Sequence, residues 1–144
     1  MKNIDIFNSF ATAFEAAVED DDWSRLEQYL AKDATYVNVG GPDPKSEGRD
    51  SVISFLKEDV ASTDKQFNSR TLIALTEPTT EGDRLSRKWR CTYALEGAPD
   101  LVIEGEARYQ FENNLIKQIE EEATGKSIRK LGEWMEKYGE KLHP

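Results

Sequence analysis

The sequence predicts an α+β domain in which helices come first and an antiparallel sheet follows, closed by one more helix. Three observations carry this. Apolar residues recur at three-and-four spacing in the first third of the chain, the mark of amphipathic helices. Four β-branched and aromatic runs then alternate with turn compositions at hairpin spacing, as in a strand meander. After Gly125 the helical spacing returns.

Phe7, Phe10, Ala11, Phe14, Ala17 and Val18 share one helical face, so residues 5–19 form the first helix. Asp20, Asp21 and Asp22 follow, and Asp22 is placed to cap a short second helix carrying Trp23, Leu26 and Leu30, which stops near Lys32. Residues 34–39 read as a strand leaving through Gly40, Gly41 and Pro42 into a loop that reaches Gly48. Val52, Ile53, Phe55, Leu56 and Val60 mark a third helix begun near Asp50.

Residues 68–76, 84–95, 101–111 and 115–123 are the strands of the meander, parted by Glu81-Gly82-Asp83, Glu96-Gly97-Ala98-Pro99 and Glu112-Asn113-Asn114. Alternation puts Leu85, Trp89, Cys91, Tyr93 and Leu95 on one face of the second strand. It gives the third strand a face of Leu101, Ile103, Gly105, Ala107, Tyr109 and Phe111. In the last helix Ile128, Leu131, Trp134, Met135, Tyr138 and Leu142 form the stripe, and Gly132 costs about 1 kcal/mol relative to alanine. That stripe packs back on the domain or across a partner subunit, because it is too long to leave in water.

Length and charge bound the function. A chain of 144 residues makes one core. The net charge of −9 argues against nucleic acid and anionic lipid surfaces as partners. No continuous apolar run is long enough to span a membrane or serve as a secretion signal, so a cytoplasmic location is expected. Cys91 is the single cysteine and His143 the single histidine, too few for a His/Cys metal centre, and neither a metal nor a cofactor is expected. Cys91 reads as a small buried hydrophobe, and His143 as a group without consequence.

The order helix, short helix, strand, helix, four antiparallel strands resembles the nuclear transport factor 2-like superfamily, which includes ketosteroid isomerase and the SnoaL-like polyketide cyclases. The local wording is similar too: Asp22-Trp23, Leu26, Tyr29-Leu30, Asp33-Ala34-Thr35-Tyr36, Gly48-Arg49-Asp50 and Ile53-Ser54-Phe55-Leu56. The resemblance covers residues 5–123. It implies a cone-shaped, curved antiparallel sheet wrapped on the N-terminal helices (a cystatin-like fold) over an apolar pocket, with residues 1–124 as the domain and 125–144 as an added helix. It also implies that Phe14, Ala107 and Asn38 occupy the positions of the isomerase's oxyanion donors and proton-shuttling acid. None of the three has the required chemistry, so ketosteroid isomerase activity itself is not expected.

The candidate polar residues are Asn38, Arg87 and Glu120. The Asn38 amide either orients a ligand carbonyl or satisfies backbone at the strand end. Arg87 interrupts an apolar face; it either meets a pocket carboxylate or lies near the strand end with its head in water. Among Glu120, Glu121 and Glu122 one acid could face the pocket, and parity leaves open which, since Leu115 and Ile119 share a face with Glu121 while Ile116 shares one with Glu120; a solvated strand end is the alternative. Phe14, Trp23, Tyr36, Asn38, Trp89, Tyr93, Ala107 and Tyr109 are the expected pocket residues, with plain core as the alternative for the aromatics. Two functions follow. One is a small-molecule pocket protein, either a binder or a cofactor-independent isomerase, cyclase or hydratase of a partly apolar metabolite, expected as a homodimer. The other is a non-catalytic homodimeric scaffold whose cavity is filled by side chains.

Overall fold

The computed structural model describes residues 2–40 and 45–142. His143 and the Gly41-Pro42 part of the first loop lie outside them. The order is α1 (Asn3–Asp20), a 3-10 helix (Trp23–Tyr29), β1 (Leu30–Asn38), β2 (Lys45–Glu47), α2 (Arg49–Ser62), a 3-10 turn (Asp64–Gln66), β3 (Ser69–Ala74), β4 (Thr79–Glu81), β5 (Arg84–Ala94), β6 (Leu101–Glu112), β7 (Leu115–Ala123) and α3 (Gly125–Tyr138). One seven-stranded sheet runs β2-β1-β7-β6-β5-β3, with β4 pairing on β5. Strands β3, β5, β6 and β7 pair antiparallel as expected, whereas β1 joins β7 in parallel.

Helix α1 ends where Asp21 adopts a left-handed conformation (φ 62°) and its N–H donates to Ala17 O at 2.7 Å, a C-terminal stop of the kind that short polar residues tolerate. Asp22 does not cap the next helix. Its carboxylate accepts instead from the Ser24 hydroxyl at 2.6 Å, and the turn that follows is 3-10 rather than α. Strand β1 therefore begins at Leu30, four residues earlier than its β-branched run suggests. Opposite it, the pairing jumps from Leu30↔Ile116 to Thr35↔Gln118, so the extra residues of β1 bulge.

The hairpin between β6 and β7 turns on Asn113 and Asn114, both at positive φ (52° and 63°). This is the pair of left-handed residues that a two-residue loop needs.

The core fills the space between α1, α2 and the inner sheet face. Phe7, Leu26, Leu30, Val52, Leu85 and Ile116 are its most enclosed members, and burying each large side chain stabilises by about 1.5–3 kcal/mol. Phe7 meets Tyr109 edge to face, with centroids 5.0 Å apart. Helix α3 folds back on the same chain. Its Trp134 joins Phe67 and Leu101 in a second apolar cluster and donates from Nε1 to Pro99 O at 2.8 Å. Thr124 caps this helix by accepting from Ser127 N. Among the described residues no helix is long and apolar enough to cross a membrane.

Candidate functional site

The sheet's concave face leaves a cavity of about 590 Å³ between α1, α2 and strands β1, β3, β5, β6 and β7. Strand register decides which side chains reach it. On β5, Arg87, Trp89, Cys91 and Tyr93 alternate inward. Across the sheet Arg87 stands opposite Ala107, Ala107 opposite Glu121, and Glu121 opposite Asn38. These four positions therefore form one transverse row over β5, β6, β7 and β1. With strands ~4.8 Å apart, the two ends of the row are within reach of a single small molecule. The neighbouring row is Leu85, Tyr109, Ile119 and Tyr36.

Six of the expected pocket aromatic and small residues line the cavity: Phe14, Tyr36, Trp89, Tyr93, Ala107 and Tyr109. Asn38 and Arg87 do so as well. Trp23 does not. It is 4% exposed, its Nε1 donates to Asp21 Oδ1 at 2.8 Å, and it packs edge to face behind Phe14.

Glu120 is also on the wrong side. It pairs across from Arg108 on the outer face and is held there in an ion pair with that guanidinium. The inward acid is Glu121. The reason is a bulge: Gln110 pairs with Gln118 but Phe111 with Ile116, which leaves Lys117 as an extra residue. Ile116 and Ile119 can then both face the core, so alternation counted from Ile116 points to Glu120 and alternation counted from Ile119 to Glu121.

Glu121 is half-buried, but its Oε1 is enclosed and has no hydrogen-bond partner. Burial pushes its carboxyl up to about 8, against the opposing pull of the Arg87 guanidinium and the Trp89 indole N–H. Arg87 lays its guanidinium over the Phe7 ring, 5.0 Å from the centroid, and its Nε is likewise enclosed and unpartnered. It is neither at a solvated strand end nor in contact with a partner carboxylate.

The indole of Trp89 lies flat over β6. A Cβ at Gly105 would come within 2.6 Å of its Cζ2 and within 2.6 Å of Glu122 O, so only glycine admits the ring there. Trp89 Nε1 is also enclosed, and its N–H is turned towards the Glu121 carboxyl that it draws down. Burial raises the phenols of Tyr36 and Tyr109, with Glu121 adding to both shifts, so both remain neutral hydrogen-bonding groups.

A second polar cluster closes the other end of the cavity. Arg70 on β3 meets Glu15 of α1 at 2.6 Å and Asp64 at 2.7 Å, with its guanidinium 6.0 Å from the Phe14 ring centroid. Burial lifts the Asp64 carboxyl to about 6, although Arg70 draws it down. Burial also raises the Cys91 thiol, so it stays a protonated wall residue. Asp59, Asp64 and Arg70 give no signal in the sequence, because each sits in a polar stretch that reads as solvated.

Comparison with known proteins agrees with this geometry. The SnoaL-like domain family matches residues 11–119, and the chain belongs to that family. No curated protein matches it in sequence. Among solved structures it is similar to TerC, co-crystallised with polyporic acid (15% identity, 91% of this chain and 98% of that one, TM-score 0.67). It is also similar to a protein from Jannaschia sp. CCS1 described as a SnoaL-like polyketide cyclase (13%, 88% and 88%, TM-score 0.67). An LEH-like epoxide hydrolase from M. tuberculosis matches at 12% identity over 88% and 89% of the two chains, with a TM-score of 0.62. At such identities the likeness establishes the nuclear transport factor 2-like fold alone.

Proposed function

We propose that this chain is a small-molecule pocket protein that binds a partly apolar metabolite in the concave cavity and moves a proton on it through Glu121. The observation that carries this reading is the Glu121 carboxyl, which lines the open cavity beside Trp89, Tyr36 and Tyr109 with its Oε1 enclosed and unpartnered. A carboxyl held near pH 8 is protonated in neutral solution and can give a proton to a ligand oxygen. The carboxylate so formed can then recover a proton from carbon. That sequence moves a double bond or closes a ring without a cofactor, and the same acid can activate a ring opening by water. Proteins of this fold include TerC, co-crystallised with polyporic acid, one described as a polyketide cyclase and an LEH-like epoxide hydrolase, which supports a small-molecule reading.

The scaffold alternative asks for a cavity filled by its own side chains. The open volume of about 590 Å³ favours the pocket reading, since ligand sites occupy roughly 300–1,000 Å³. A cytoplasmic homodimer remains part of the proposal, with the solvent-facing side of the sheet as the surface offered to a second copy.

Native mass spectrometry of protein taken directly from cells tests both parts. The expected spectrum is a dimer carrying a small molecule that gentle unfolding releases. The Glu121→Gln variant, which keeps the shape and removes the acid, should bind that molecule but fail to convert it. A protein that carries nothing and does not take up Nile red would remove the pocket reading, and a monomeric mass would remove the homodimer.

A further inference from the structure

Strand β3 is an edge of the sheet, paired only with β5, and its free side is undefended. Edge strands of native proteins are usually kept from pairing by shortness, charge or proline. Strands β2 and β4 follow that rule, each three residues long, with Lys45 and Glu47 on one and Glu81 on the other. Strand β3 runs for six residues, Ser69–Ala74, without proline or acid. Its one charge, Arg70, is turned inward onto Glu15 and Asp64. On the outer face Ile73 and, just past the strand, Leu75 are 45% and 40% exposed.

Strand register decides which backbone groups are left over. Leu75 N–H donates to Lys88 O at 2.8 Å, and by alternation Thr71 and Ile73 also spend their N–H and C=O groups on β5. Arg70, Leu72 and Ala74 therefore turn theirs to the open edge. These three positions are symmetric about Leu72. A second β3 laid antiparallel, with Leu72 opposite Leu72, gives every outward N–H an outward C=O. In that register Arg70 stands opposite Ala74, whose small side chain leaves the Arg70 ion pairs in place, and Ile73 stands opposite Thr71, which covers it. Charge favours the same place. Residues 65–76 and 84–95, which contain β3 and β5, are the two longest stretches without an acid in a chain of net charge −9, so two copies that meet there bring no acid against acid.

We propose that β3 pairs with β3 of a second copy, antiparallel about Leu72, and joins the two sheets into one. This rests on the homodimer reading above and names its contact: the β3 margin of the sheet, where the solvent-facing side offers Ile73 and Leu75. Arg70, Leu72 and Ala74 also line the cavity, so the pairing braces a wall strand of both cavities that is otherwise held on one side only.

Two measurements on the intact chain test it. In the first, Thr71→Cys and Ile73→Cys are combined. The proposed register sets residue 71 of each copy against residue 73 of the other, in close pairs with Cα atoms about 4.5 Å apart, a separation that a disulfide spans. Mild oxidation should close most of the protein into a covalent dimer, while Ser69→Cys with Ile73→Cys, out of step with that register, should close far less. The native Cys91 is buried and stays out of the reaction. In the second, hydrogen exchange follows the amides of Arg70, Leu72 and Ala74. They should exchange roughly tenfold slower in the wild type than in Ile73→Lys, whose added charge blocks the edge. If the cysteine variants do not fold, exchange decides the matter alone. Slow exchange without cross-linking in folded cysteine variants would overturn the register. A dimeric mass with edge amides that exchange alike in wild type and Ile73→Lys would overturn the β3 pairing and leave the homodimer standing on another surface. A monomeric mass would remove the homodimer and the pairing with it, and a second polypeptide of different mass on the wild-type chain, lost in Ile73→Lys, would give the edge to another strand and overturn the pairing too.

Discussion

The carboxyl of Glu121 sits among Trp89, Tyr36 and Tyr109, and the folded chain keeps its proton to a pH at which the unfolded chain has lost it. Between the ordinary value of 4.5 and the raised value of about 8 the folded state binds the extra proton. Stability from this group is therefore fully present below 4.5 and is lost as pH rises through 8. Asp64 acts in the same direction over the lower window from 3.8 to about 6. Urea unfolding should thus show the protein losing on the order of 2 kcal/mol between about pH 6 and pH 9, a range that Asp64 hardly touches. Glu121→Gln should be flat there; an equal slope in both proteins would mean that the acid is not held up by burial. The sequence made Asn38 and Arg87 legible as inward residues because β1 and β5 alternate regularly through them. It could not choose between Glu120 and Glu121, since a one-residue bulge at Lys117 reverses parity without changing composition.

At the scale of elements, the chain's own spacing specified most of the architecture. Helix α1, helix α2 and the meander strands begin or end within about two residues of their patterns, because long runs average over local irregularity. Strands β2 and β4 left no pattern to read. Each is three residues long and polar, and each exists only because a longer neighbour, β1 or β5, offers an edge to pair with. Helix α3 shows the opposite case, in which a local rule holds and tertiary packing does not override it. Gly132 lies in the middle of that helix with nothing within 4 Å of an added Cβ, so it serves neither packing nor an unusual turn. Gly132→Ala should raise stability by about 0.5–1 kcal/mol in thermal or urea melts. A loss of stability would mean that this face of α3 is covered in solution. The close approach of the Trp89 ring to Gly105 predicts the reverse for Gly105→Ala: the clash with Trp89 and Glu122 O should destabilise the fold and displace the indole.

For the molecule as a whole, the charge of −9 leaves acids repelling one another wherever no base stands among them. On the outer sheet face Arg108 alone draws together Glu106 at 2.6 Å, Glu122 at 2.8 Å and Glu120, and Glu122 first among them holds its guanidinium above the usual range. Each of these pairs is open to solvent, where a single ion pair is worth about 0–1 kcal/mol. Their common partner changes the sum, since without it three adjacent acids on β6 and β7 would face one another unscreened. Two opposing salt effects then act on the folded chain: screening weakens the Arg108 pairs and also weakens the repulsion among the surplus acids. With 28 acidic against 19 basic residues, repulsion should dominate, and the wild-type protein should become more stable as sodium chloride is raised from about 10 mM to 300 mM. Arg108→Gln should be less stable by about 1 kcal/mol at the low end and should recover most of that difference at the high end. Its melting curve against salt is therefore the measurement to make: parallel curves for the two proteins would mean that Arg108 holds the outer face by packing of its stem, and converging curves that it holds it by charge.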